Sequence, residues 1–171
     1  MNRMLSAILL VVAALVQMAC DSGKEPVHAG DNEALVGGVK YAIRSNTYRE
    51  PDGSFYINGY DADSSLFVFS AYVKPESTNT TIDLSEWQDG VHYDFSFAFD
   101  GYCSFSQTNS PGGLFCTYNG VNHDGVSVFP KGRLTTTLDD NQLTYEINAM
   151  MVNSDEFRLR VVVPLKQVTQ L

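Results

Sequence analysis

Tyr93-Asp94-Phe95-Ser96-Phe97-Ala98-Phe99-Asp100 decides the fold: four rings at alternate positions, separated by small or acidic residues, describe a strand with one dry and one wet face. The same two-residue period recurs where Leu143, Tyr145 and Ile147 alternate with Thr144, Glu146 and Asn148. It recurs again where Phe157, Leu159, Val161 and Val163 alternate with Arg158, Arg160, Val162 and Pro164. Leu66 to Val73 is apolar at every position except Ser70, the composition of a central strand covered on both sides. Every aromatic residue of the chain lies beyond Val36, interleaved with Val, Ile and Thr, which suit a pleated surface. Asp-Gly or Asn-Gly pairs begin at Asp52, Asn58, Asp89, Asp100, Asn119 and Asp124, and these residues tolerate the positive φ of tight hairpins. Asp139-Asp140-Asn141 adds a further turn. The pattern predicts strands near 37–44, 54–60, 65–73, 80–84, 91–98, 102–107, 113–118, 125–129, 132–138, 142–151 and 155–165, with one weak helical turn at Ser85 to Gln88. About ten short strands without a long helix point to an all-β domain. The expected architecture is an antiparallel β-sandwich, with a closed lipocalin-like β-barrel as the alternative.

Ahead of this region, Arg3 supplies a positive start and Met4 to Val16 is uncharged, a run of about 13 residues that is too short to span a bilayer as a helix. Gln17-Met18-Ala19 then leads to Cys20. Residues 1–20 resemble the signal of a bacterial lipoprotein, with Ala19 and Cys20 in its cleavage box and Gln17 where leucine is usual. The resemblance implies removal of residues 1–19, a diacylglyceryl thioether on Cys20 and an acylated new amino terminus. It places the protein in the cell envelope, held to a membrane by lipid, with the outer membrane favoured over the inner one. Asp21 resembles the residue that retains some lipoproteins at the inner membrane. Residues 20–35 are polar, with Gly23, Pro26 and Gly30, and read as a tether to a single domain over 36–171.

With Cys20 assigned to lipid, Cys103 and Cys116 remain as an even pair in an oxidising compartment and are expected to form a disulfide. A hairpin closed by a left-handed Gly101 pairs Phe97 with Cys103 and Phe95 with Phe105. If Cys103 then faces Cys116 and Phe105 faces Leu114, one side gathers all six of these residues.

The chain carries 20 Asp and Glu against 11 Lys and Arg, a net charge of −9, which disfavours nucleic acid and anionic surfaces as partners. No zinc-helix, phosphate-loop or dinucleotide motif is present, and neither a cofactor nor a metal is expected. Gly125-Val126-Ser127-Val128-Phe129 starts like a nucleophile elbow but lacks the closing glycine. His28, His92 and His123 are scattered; Asp61-Ala62-Asp63 and the Asp139 turn read as turns ahead of cation sites. Tyr48, Tyr60, Trp87 and Tyr118 lie near predicted strand ends, where rings with a polar handle either close the core or mark a ligand surface. The leading expectation is a monomeric, non-catalytic binding module that engages an envelope protein or a neutral glycan. The alternatives are a carrier with a barrel cavity and a hydrolase whose site assembles from distant loops.

Overall fold

The computed structural model describes residues 29–63, 66–100 and 103–171, with the side chain of Cys103 outside that description; Cys20 and the signal-like segment also lie outside it. Thirteen strands form β1 (Glu33–Val36), β2 (Val39–Arg49), β3 (Phe55–Asp61), β4 (Phe67–Val73), β5 (Thr80–Asp83), β6 (Tyr93–Phe99) and β7 (Cys103–Ser110), then β8 (Gly113–Tyr118), β9 (Val121–Asn122), β10 (Lys131–Leu138), β11 (Gln142–Met150), β12 (Glu156–Pro164) and β13 (Thr169–Gln170). The order β5-β10-β11-β12-β1-β2-β3-β4-β6-β7-β8-β9 is antiparallel throughout and curls into a half-barrel; β13 adds a short parallel pair to β2.

Curling follows from the alternation. On β3, β4 and β6 every second side chain is buried, so the apolar set of each strand shares the concave face. The two flanks of the sheet meet through their rings: Phe157 of β12 lies 4.7 Å from Phe97 of β6 and 5.5 Å from Phe105 of β7, centroid to centroid. Phe129 and Phe67 complete the cluster, and all five rings are buried. The two-residue turn at Asn119-Gly120, with φ of 48° and 77°, joins Tyr118 to Val121 as its sequence predicts.

Several expectations are corrected. Among the described residues the strands number thirteen where about ten were expected. The sheet begins at Glu33, inside the segment read as tether, because β1 finds a partner on each side, β12 and β2. Residues 125–129 form a turn and a buried crossing in place of a strand, and Ser85 to Gln88 bends without a helical turn. Leu66 to Val73 is covered on one side only: Leu66 and Val68 are exposed on the other. Asn58-Gly59 is not a turn but lies within β3.

The register at Asp100 also differs, with Phe97 opposite Phe105 and Phe99 opposite Cys103. A slip of two residues preserves which face each side chain occupies, so the apolar set survives while the partners change. On the next ladder Gln107, not Cys103, stands opposite Cys116. Four residues of strand, about 13 Å, separate Gln107 from Cys103. Cys116 is a free, buried thiol, and the expected cross-strand disulfide is not formed.

Candidate functional site

The convex face of β2, β3, β4 and β6 to β9 carries a feature that only the register reveals. Asn46, Asn58, Ser70, Ser96, Ser106, Thr117 and Asn122 are consecutive cross-strand neighbours, an uncharged polar row crossing seven strands. At one strand spacing per step the row is about 29 Å long. Its hydroxyls partly satisfy one another: Ser70 and Ser96 oxygens lie 2.8 Å apart, and the Thr117 hydroxyl donates to Asn122 Oδ1 at 3.3 Å. The remaining donors and acceptors face outward.

Two rows flank it. On one side run Tyr48, Tyr56, Tyr72, Asp94, Thr108 and Phe115; on the other run Arg44, Tyr60, Val68, Ala98 and Ser104. The rings of Tyr56 and Tyr72 lie 4.5 Å apart, and Tyr56, Val68 and Phe115 are exposed. Small side chains at Ser70, Ser96, Ala98, Ser104 and Ser106 leave a shallow groove of about 460 Å³ with no ionisable group in its lining. Asp94 stands beside it. Desolvation raises its carboxyl above the ordinary range, and a hydrogen bond from Thr108 opposes that shift.

Of the four aromatic residues singled out in the sequence, Tyr48 and Tyr60 lie on this face, on adjacent strands. Tyr118 does not: it pairs with Phe105 and packs against the core. Trp87 sits in the connection between β5 and β6, where its indole N–H donates to Ser110 O at 2.9 Å beyond the end of the groove. The four therefore do not converge. Tyr56 and Tyr72, which the sequence reading passed over, form the closest ring pair on the face. Their signal was their alternation with Phe55, Ile57, Ala71 and Val73 on the buried side.

The other sequence candidates take structural roles. Ser127 is buried, with its hydroxyl beside Leu84 O and Gln107 Oε1 and accepting from Phe129 N. Gln107 also donates to Leu84 O and to the Tyr93 hydroxyl, and accepts from Val128 N at 3.2 Å and the Cys116 thiol at 3.5 Å. This knot joins β7 to the crossing segment and to the end of β5, where no ladder exists. Burial pushes the Cys116 thiol up to about 11, so it is protonated at neutral pH. His92 pairs with Glu76 at 2.6 Å, holding that carboxyl below its usual range, and His123 lies in an exposed turn. Asp63 N donates to Asp61, and Asp139 Oδ1 accepts from Asn141 N and Gln142 N, so both segments form turns.

No helix among the described residues is long and apolar enough to cross a membrane. No protein-family model, curated protein or solved structure matches the chain.

Proposed function

We propose that this protein is a monomeric, non-catalytic binding module of a bacterial cell envelope, held by lipid on Cys20 at the outer membrane, whose convex sheet face binds a neutral glycan. The observation that carries the reading is the seven-residue uncharged row flanked by Tyr56 and Tyr72. In a chain of net charge −9, a groove whose lining lacks ionisable side chains offers no counter-charge to an anionic ligand. Hydroxyls and amides both donate and accept, which suits sugar hydroxyls, and tyrosine faces suit sugar rings. Sugar units of a linear glycan recur at roughly one strand spacing, about 5 Å, so a chain laid across the strands meets one polar side chain per unit.

The buried Phe cluster occupies the space that a carrier would keep for its ligand. Contact between the inner faces of the two flanks favours reading the curled sheet as a sandwich over an open-centred barrel. Ser127, with Leu84, Gln107 and Phe129 as partners, offers no support for a hydrolase.

The test is binding of the full chain, in non-ionic detergent, to a panel of neutral linear glycans, repeated with Tyr72→Ala and Ser96→Glu. At least one glycan is expected to bind saturably, with both variants weakened tenfold or more. A panel that gives no binding, or variants that bind as wild type does, overturns the proposal. Capture of an envelope protein through the same residues would replace glycan by protein as the partner.

A further inference from the structure

The opposite flank of the sheet bears charge, and its arrangement is independent of the glycan reading. On the outer surface Arg133 of β10, Asn148 of β11 and Arg158 of β12 stand side by side in register, with Asp83 of β5 next to Arg133. Lys131 lies two residues before Arg133 on the same face, and these side chains line a second groove of about 460 Å³. Arg158 is only 9% exposed. Its Nη2 is paired with Glu156, whereas Nη1 is buried without a hydrogen-bond partner. Lys131 and Arg133 form no ion pair or side-chain hydrogen bond among the described residues; Arg133 acts on Asp83 only through its charge. The two acids of the groove are already engaged: Asp83 accepts from the backbone N–H and hydroxyl of Ser85, and Glu156 faces Arg158.

A buried guanidinium nitrogen without a partner is costly, and two unpaired cations beside it add repulsion that a structural role does not require. Three cations against two engaged acids leave this groove positive within a strongly negative molecule. An oxyanion supplies what is missing, because a guanidinium fork matches phosphate geometry and Lys131 and Arg133 add charge from the rim. We propose that the groove between β10, β11 and β12 is an anion site for a phosphate group, carried by a small soluble molecule or by a lipid headgroup, seated on Arg158, Arg133 and Lys131.

The test is titration of the full chain in phosphatidylcholine vesicles with inorganic phosphate, followed by phosphorus NMR and calorimetry. Arg133→Gln and Arg158→Met are the site variants, and Lys166→Gln is the control. Wild type and control are expected to bind saturably, and the site variants at least tenfold more weakly. Arg133 is exposed, so Arg133→Gln decides the matter even if Arg158→Met fails to fold. Repeating the titration with phosphatidylglycerol in the vesicles, at salt that screens surface charge, separates the sources. An Arg133-dependent loss of phosphate affinity identifies the headgroup, and unchanged affinity identifies a soluble ligand. Absence of saturable binding, or Arg133→Gln binding as tightly as wild type, overturns the proposal.

Discussion

Gly59 is the residue whose replacement the inner packing resists most plainly. A methyl group there would stand 1.9 Å from Cε1 of Phe69, so the hydrogen at this position makes room for a core ring. Gly59→Ala is expected to destabilise the fold by about 1–3 kcal/mol, the usual range for overpacking. Urea unfolding measures it, and adding Phe69→Leu to the same chain should recover part of the loss; an unchanged midpoint for Gly59→Ala would refute the close approach. The sequence shows why this position misleads. Asn-Gly is a hairpin signal by local chemistry, and at Asn119-Gly120 it acts as one. At Asn58-Gly59 the reason for glycine is a ring on the neighbouring strand, which no local pattern records.

Among the elements, β7 is the most informative, because its inner face changes character along its length. Phe105 joins the aromatic cluster, while Gln107 and Asn109 are buried amides that hold segments outside the ladders. The Asn109 amide donates to Gln88 O and Val91 O and accepts from Gln88 N, fixing the connection between β5 and β6. Replacing Gln107 by Leu strips partners from the Tyr93 hydroxyl, Val128 N and the Cys116 thiol, with a loss of about 3 kcal/mol expected from unsatisfied buried groups. Ser106→Ala, on the wet face of the same strand, should stay within about 0.5 kcal/mol. Equal unfolding midpoints for the two variants would show that the knot contributes nothing. Alternation made the strand legible, since Phe95, Phe97 and Phe105 fall on one face in either register. The pairing was not legible, because slips of two residues leave that pattern intact. The polar row of the convex face was hidden for the same reason: each serine read alone is only a wet position, and the row exists only across strands. The strand β1 escaped notice because four residues in a polar stretch carry too little periodicity, and its place is set by β12 and β2.

At the scale of the whole molecule, burial of phenols and a thiol couples the fold to alkaline pH. Burial, with the Asp100 hydrogen bond and charge, pushes the Tyr41 phenol up to about 12, and Cys116 rises to about 11. Tyr93 and Tyr145 are shifted upward too, chiefly by burial. The unfolded chain releases these protons near the ordinary values of 9.0 for the thiol and 10.0 for the phenols, while the folded chain retains them. Stability from these groups is thus complete below the ordinary thiol value and falls as pH rises through the folded values. Urea unfolding at successive pH values above neutrality, with phenolate absorbance recorded alongside, should show the free energy falling before the folded tyrosines titrate; a flat profile would contradict the burial. The all-β class was readable from period and turns, whereas the curl was not, and neither was the contact of β7 with the end of β5, where Gln107, Ser127 and Leu84 meet without a ladder. The placement of β1 has a mechanical corollary. Because this first strand is sewn along both edges to antiparallel neighbours, tension applied to the amino end and directed along the strand loads two seams in shear at once, so the point where the chain enters the domain resists traction instead of peeling open.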